Sequence, residues 1–202
     1  MSNPIKFYFV CVSPWSYLAI DKLKDIALSN QRQIDFRPID VAVSWKITGA
    51  GQPLNKRPEV LQAYRIIELQ RWAKWRNINI NINPKFFPVP FALSSRVIIA
   101  ALESNPGKEF ELTRALMRGC WEDEKDISNT DHVRDIIEKV GLDGSELIQI
   151  ANSEKTSEKL ISNTYEAIEF GAWSVPSFYF DGELFFGQDR LEMIDWKISS
   201  KV

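Results

Sequence analysis

The spacing of apolar and polar positions changes several times along the 202-residue chain, and each change predicts a different element. The run from Ile5 to Val12 (IKFYFVCV) is β-branched and aromatic and too short for a lone helix, which predicts a strand covered on both faces. Ser13 and Pro14 then supply an N-cap and a first helical residue, and an apolar stripe continues to about Leu28. Because Ile34 to Ile39 predicts a second strand, the order predicts a parallel pair joined by a right-handed crossover.

Helical periodicity dominates the middle of the chain, from about Val41 to Gly171. Apolar residues recur three and four positions apart, as in Val60, Tyr64 and Ile67, and stretches rich in Gly, Pro and Asn separate the periodic segments. The predicted helices lie near Pro58 to Arg76, Phe91 to Ser104, Lys108 to Trp121, Thr130 to Val140, Ser145 to Ala151 and Ser153 to Phe170.

Residue types that are typical of strands appear again near the end of the chain. The pair Asp181-Gly182 separates the apolar runs 177–180 and 183–186, which predicts a two-residue hairpin, and a helix start follows at about Arg190. Neither the first two strands nor this hairpin buries enough surface to stand alone, so the strands from both ends must share one sheet. The predicted fold class is α/β, in the order βαβ, a block of helices, then ββα.

Charge narrows the set of partners. The chain carries 25 Lys and Arg against 27 Asp and Glu, so no global positive excess exists to neutralise a nucleic-acid backbone. Between Leu54 and Arg96, however, the chain has eight basic residues and only two acidic ones. A nucleic-acid face is one interpretation of this segment, but amphipathic helices commonly place Lys and Arg outside and Trp inside. We predict no nucleic-acid partner, and a small anionic ligand steered by this basic segment.

The remaining composition points to a soluble cytoplasmic protein. Cys11 and Cys120 cannot form a disulfide framework, and Cys11 lies in a run typical of a buried strand, so a reducing compartment fits best. No uncharged apolar stretch is long enough for a membrane helix, which predicts no membrane partner. His132 is the only histidine, which argues against a histidine-based triad, and the run 122–124 (EDE) is typical of a solvated turn, so no metal site is predicted.

Two serines stand at the corner between the first strand and the first helix, in Ser13-Pro14-Trp15-Ser16. With a distant Val175-Pro176 before the hairpin, this corner resembles that of a thioredoxin-like fold carrying a helical insertion. The resemblance divides the chain into a thioredoxin-like domain, 1–40 with 172–202, and an inserted all-helical domain, 41–171. Thioredoxin-type oxidoreductases carry Cys-x-x-Cys at this corner, and serine at both positions excludes dithiol exchange.

A serine at a helix start is most often a plain N-cap. Its hydroxyl can also donate a hydrogen bond to a thiolate supplied by a bound partner, with the helix N-terminus adding a favourable potential. Cys11 is a second candidate nucleophile near this corner, against which its predicted burial is the main objection.

Motifs along nearly the whole chain sharpen the resemblance. The run from Phe7 to Ala19 resembles the N-terminal signature of 2-hydroxychromene-2-carboxylate isomerases and the related kappa-class glutathione transferases. Further similar segments are 70–73 (QRWA), 120–121 (CW) with 126–127 (DI), 175–177 (VPS) and 186–191 (FGQDRL). The chain departs from the family at Val10, where an acidic residue is common.

The resemblance implies site residues position by position. Ser13 matches the serine that hydrogen-bonds and helps to ionise the glutathione sulfur, so it is the implied catalytic residue. Val175 precedes a proline, Pro176, that the family has in cis, and its main chain pairs with the glutathione backbone as an added strand would. The segment implied to hold the γ-glutamyl end consists of Phe186, Gly187, Gln188 and Asp189. The residues implied to line the substrate pocket are Lys46, Asn55, Lys56 and Phe86, with Lys46 matching only after a one-residue shift.

The activity implied by the resemblance is a glutathione-dependent isomerisation. The glutathione thiolate would add reversibly to a conjugated, aromatic-derived acid, permit rotation about a former double bond and leave unchanged, as part of aromatic breakdown. Two alternatives stay open at this point: a kappa-like glutathione transferase that consumes the thiol, and a non-catalytic thioredoxin-like binding module. The resemblance also implies a homodimer.

Overall fold

A four-stranded mixed sheet forms the centre of the computed structural model, which describes residues 3–200. The strands are β1 (Ile5–Phe9), β2 (Ile34–Pro38), β3 (Ser177–Phe180) and β4 (Glu183–Phe186), in the spatial order β2-β1-β3-β4. β1 pairs in parallel with β2 and antiparallel with β3, which pairs antiparallel with β4. The strands from the two ends of the chain therefore share one sheet, as predicted.

The helices of the described residues connect and cover this sheet. Helix α1 links β1 to β2, seven helices lie between β2 and β3, and the last helix follows β4. Their bounds are α1 (Pro14–Ser29), α2 (Val41–Thr48), α3 (Glu59–Arg76), α4 (Ala92–Ser104), α5 (Glu109–Trp121), α6 (Thr130–Lys139), α7 (Gly144–Ala151), α8 (Glu154–Glu169) and α9 (Leu191–Ser199), with short 3-10 turns over Leu54–Lys56 and Gln188–Arg190.

Both faces of β1 are largely buried, as its β-branched and aromatic sequence predicted, with Lys6 half-buried. Phe7 and Phe9 point into the larger core, where Phe7 stacks on Phe178 of β3 at 5.3 Å between ring centres. Tyr8 and Val10 point into a smaller apolar cluster on the other face. Because successive side chains of a strand alternate between faces, each face of this strand needs its own helical cover.

The sequence patterns located most elements to within a residue or two of their bounds. The exceptions lie where the chain turns. The first strand ends at Phe9 rather than Val12, because the Ser13 amide donates to the Val10 carbonyl and folds residues 11–12 into a turn. Helix α2 was not predicted at all. The hairpin forms as predicted, with Asp181 and Gly182 at positive φ, the backbone that a two-residue type I′ turn requires.

The apolar stripe of α3 faces outward. Val60, Tyr64 and Ile67 have the helical spacing that was predicted, but they are 72%, 54% and 44% exposed in the single chain. Among residues 3–200, no helix is both long and apolar enough to cross a membrane. The division into a thioredoxin-like domain and a helical domain stays a prediction.

Candidate active site

Ser13 caps the N-terminus of α1 at the point where β1 has just left the sheet. Its extended backbone and its side-chain oxygen, which accepts from the Ser16 amide at 3.2 Å, begin the helix, and Pro14 occupies the first helical position. The Ser13 side chain is nearly buried, at 7% exposure. Because its oxygen accepts from the helix amide, its own proton remains available to an acceptor beside the helix end.

A second segment of the site is Val175–Pro176, of which Val175 lines the same cavity as Ser13. The Val175–Pro176 peptide bond is cis, as the resemblance implied, and it immediately precedes β3. The Pro176 carbonyl accepts a hydrogen bond from the Gly187 amide at 2.9 Å, which ties the cis-proline segment to the end of β4. Gly187 has a φ of 103°, and a Cβ there would lie 2.4 Å from an Asp189 carboxylate oxygen, so glycine suits this bend.

A cavity of about 570 Å³ opens between these two segments and the chain that follows β2. Ser13, Val175 and Phe186, three of the residues implied to bind glutathione, line it together. Most of the wall is apolar, with aromatic side chains from five separate parts of the chain. Those aromatic residues are Trp15, Trp45, Phe87, Phe91, Trp173 and Phe186. An apolar cleft of this volume with a few converging polar groups suits a small organic ligand.

Two arginines supply the charge of this cavity. Within the described chain, the charged side chains that line it are Arg57 and Arg65, and both are positive. The potential of the cavity therefore favours an anion, either a thiolate at the α1 N-terminus or a carboxylate elsewhere on the wall.

The rest of the predicted glutathione segment lies beside the cavity rather than on its wall. Gln188 is 3% exposed, and its carbonyl accepts from Arg76 at 2.9 Å. Arg76 also donates to the Leu18 carbonyl of α1 at 2.7 Å, so one guanidinium connects α3 to both α1 and the 188–190 turn. Asp189 is exposed and pairs with Arg190 at 3.0 Å. The Gly187 amide already bonds Pro176, so it is not free for a ligand carboxylate.

The structure does not bring the four predicted substrate residues to the cavity wall; in each case a neighbour in the chain lies there. Lys46 is exposed on α2, where Trp45 faces the cavity instead. Asn55 and Lys56 are exposed on the 3-10 turn, whose flanking residues Leu54 and Arg57 line the wall.

Phe86 turns away from the cavity as well. Its ring lies edge-on to His132 at 6.0 Å between centres, under the Lys85 ammonium, while Phe87 lines the wall. A shift of one position in a loop turns a side chain to the other side of the backbone. For this reason the side chain that lines the wall belongs to a neighbour of each predicted substrate residue.

Neither cysteine is available as a nucleophile. Cys11 is fully buried, and burial raises the pKa of its thiol far above the ordinary value. Burial likewise raises the pKa of the Cys120 thiol to about 12. Both cysteines are free thiols, which agrees with the absence of a disulfide framework predicted from their number.

Sequence reasoning missed the residues that shape most of the wall. Trp45 belongs to the unpredicted α2, although Asp40 as an N-cap accepting from two amides and Gly49 at positive φ were readable signals of that helix. The loop after α2 passes close to this ring, since a Cβ at Gly51 would lie 2.2 Å from the Trp45 indole. Arg65 belongs to the basic segment predicted to steer an anion, but nothing in the sequence separates it from the other basic residues of that segment.

The fold and this cavity together define the class of protein. A family model described as the DsbA-like thioredoxin domain matches residues 4–199. The chain therefore belongs to the family of DsbA-like thioredoxin domains, and its helices between β2 and β3 are the insertion that this fold carries.

More particular relatives agree with the resemblance drawn from the motifs. The chain is 28% identical over 197 residues to the 2-hydroxychromene-2-carboxylate isomerase of Sphingobium xenophagum, covering 96% of this chain and 97% of that protein. It is 22% identical to glutathione S-transferase kappa 1 of Rattus norvegicus, over 98% of this chain and 91% of that protein. A solved structure of a 2-hydroxychromene-2-carboxylate isomerase superposes with a TM-score of 0.82 at 26% identity, covering 98% of this chain and 95% of that one. The resemblance to this group is thereby confirmed.

Proposed function

We propose that this protein is a glutathione-dependent isomerase that acts on a conjugated, aromatic-derived acid of the 2-hydroxychromene-2-carboxylate type. The observation that carries the proposal is the position of the Ser13 hydroxyl, nearly buried at the α1 N-terminus and on the wall of an apolar cavity with Val175. The names of the full-length relatives support it.

The residues present fit glutathione. Ser13 offers a hydroxyl proton and a helix N-terminus to a thiolate, and the main chain at Val175 offers strand-like hydrogen bonds to a peptide-like ligand. The cavity wall carries no acidic side chain among its described residues, which suits a tripeptide with carboxylates at both ends. When bound, glutathione would supply a nucleophilic sulfur, the function for which this chain has no accessible thiol of its own.

The residues of the chain would hold the sulfur and the substrate in place and exclude water from them. Ser13 would hold the sulfur as an anion by hydrogen bonding, and the burial of that hydroxyl strengthens the interaction because little water competes. The aromatic wall would hold a flat conjugated acid against the same end of the helix and keep water from it. Two buried free thiols fit a reducing, cytoplasmic setting in which glutathione is abundant.

Two measurements test this function together. Titration calorimetry should show that the protein binds reduced glutathione, and turnover of 2-hydroxychromene-2-carboxylate should require glutathione without consuming it. The absence of glutathione binding would contradict the proposal and favour the non-catalytic binding module.

A second candidate function follows from the kappa-class relatives. A kappa-like transferase would form a conjugate and consume one glutathione per turnover. Free thiol measured before and after complete conversion separates the two activities, because an isomerase leaves the amount of free thiol unchanged.

A further inference from the structure

The two arginines of the cavity differ from Arg37 and Arg114, two other partly buried arginines of the chain. Arg37 and Arg114 each hold a carboxylate, those of Asp35 at 2.8 Å and Asp21 at 2.7 Å. For Arg57 and Arg65, no carboxylate oxygen of residues 3–200 lies within 4.0 Å. Both line the cavity, which makes them charged groups without a counter-ion at a site built for a ligand.

Aromatic rings hold both guanidinium groups in place. The central carbon of the Arg57 guanidinium lies 5.8 Å from the Trp45 ring centre, and that of Arg65 lies 5.4 Å from the Phe87 ring centre. Both rings also line the cavity. A guanidinium held over a ring keeps its N–H edge free, and that edge matches the two oxygens of a carboxylate. The Arg57 Nε donates to the Gln52 carbonyl at 3.1 Å, which orients this side chain further.

Without a bound anion, the two guanidinium charges are destabilised by burial and by their mutual repulsion. Burial and, to a smaller extent, the nearby charge of Arg57 together lower the pKa of Arg65 to about 10. Burial also lowers the pKa of Arg57. An anion that enters between them would relieve both the repulsion and the lost hydration.

We propose that Arg57 and Arg65 bind the carboxylate of the substrate and so determine which acids the enzyme accepts, an inference that rests on the function proposed above. The flat remainder of the acid would lie on the apolar wall that includes Phe91 and Val89. The proposal places the contact with the substrate carboxylate on residues other than Lys46, Asn55, Lys56 and Phe86, which the resemblance implied only as lining the substrate pocket. It also predicts the selectivity of the enzyme: conjugated carboxylates are bound, and neutral or cationic analogues of the same shape are rejected.

A pair of matched probes tests the assignment without turnover. Naphthalene-2-carboxylate and naphthalene-2-carboxamide have the same ring system and similar size but differ in charge. Titration calorimetry on the whole protein should show that the wild type binds the carboxylate at least about tenfold more tightly than the amide. Arg65→Met and Arg57→Met should each weaken carboxylate binding by about 10- to 100-fold and leave amide binding unchanged.

The chain offers a matched control on the same helix. The Arg71 side chain is 65% exposed, pairs with Glu68 at 2.7 Å and does not line the cavity. Arg71→Met removes the same charge from α3 and should change both affinities less than twofold. Arg65→Lys should recover part of the carboxylate affinity, because it restores the charge without the planar fork. Circular dichroism checks that each variant is folded, and Arg65→Gln serves if the methionine variant does not fold.

The outcomes of these titrations distinguish a substrate carboxylate from a glutathione carboxylate as the group that the arginines bind. Unchanged carboxylate binding in Arg57→Met and Arg65→Met, or an equal loss for acid and amide, overturns the assignment. If the same variants lose glutathione binding instead of naphthoate binding, the arginines hold a glutathione carboxylate, and the assignment to substrate is again wrong. Because naphthoate is titrated without glutathione, arginine-dependent naphthoate binding by a protein that binds no glutathione would contradict only the proposed function.

Discussion

The Ser13 hydroxyl should control the acidity of the glutathione thiol. Ser13→Ala removes one donor from a nearly buried position, where a hydrogen bond to a charged group is worth about 1.5 to 3 kcal/mol. Since 1.36 kcal/mol corresponds to one pKa unit, the pKa of the bound thiol should rise by about 1 to 2. Turnover should fall about 10- to 100-fold, because the thiolate is the reactive form.

The same substitution also removes a helix cap. The Ser13 oxygen accepts from the Ser16 amide, and loss of an N-cap costs about 1 kcal/mol of unfolding free energy. Urea unfolding measures this cost, and the ultraviolet absorbance of the thiolate, followed against pH in the glutathione complex, measures the pKa. The two readouts keep a stability effect apart from an effect on the sulfur.

Ser153→Ala is the matched control for the cap. Ser153 caps α8 through the same contact, with its oxygen accepting from the Thr156 amide at 3.3 Å, and it does not line the cavity. It should lose similar stability and leave the thiol pKa unchanged. Ser13→Asp keeps a cap acceptor but offers no proton at neutral pH, so it should raise the thiol pKa at least as much as Ser13→Ala. An unaltered thiol pKa in both Ser13 variants would refute the role given to this hydroxyl.

Three further predictions concern stability and accessibility. Burial alone would raise the pKa of Glu166, but hydrogen bonds from a tyrosine and a lysine outweigh this effect and lower the pKa. The Glu166 carboxylate therefore stabilises the folded protein at neutral pH. This contribution is lost as the pH falls through the pKa of Glu166 in the folded state. Urea unfolding should therefore show the wild type losing stability between about pH 5 and pH 3 more steeply than Glu166→Gln. Ellman's reagent should label neither Cys11 nor Cys120 in the native state and both in denaturant, whereas rapid native labelling would contradict their burial. Gly51→Ala should displace the Trp45 indole and cost about 1 to 3 kcal/mol by thermal or urea unfolding, and a variant as stable as the wild type would show that the loop shifts freely.

The sequence was most informative where local chemistry alone determines the structure. Ser13 and Pro14 specify a helix start by capping and by a preset φ, and Asp181-Gly182 specifies a tight turn by its tolerance of positive φ, so both features could be located without knowledge of the tertiary structure. Helix α2 was hidden because it has only eight residues, four of them β-branched, and such a segment is helical only in its tertiary context.

The substrate side of the cavity could not be predicted for a different reason. Its wall is assembled from single residues of α2, the loop after it, α3 and the loop before α4, and no local pattern records which of two neighbouring residues faces inward. Phe86 and Phe87 are chemically identical, and tertiary packing separates their positions: Phe86 lies against His132, and Phe87 lies against Trp121. Ser13 and Val175, which the motif resemblance named, both line the cavity, and they lie just after β1 and just before β3, where the neighbouring strands fix their positions.

The corner that holds Ser13 also holds Ser16, a fully buried residue whose side-chain oxygen has no hydrogen-bond partner among the described residues. The two serines stand one helical turn apart, as the two sulfurs of a dithiol pair would. Oxygen cannot exchange electrons as paired thiols do, so this corner by itself has no redox couple. Any sulfur chemistry here must therefore use a sulfur that a bound molecule brings, because both cysteines of the chain are buried.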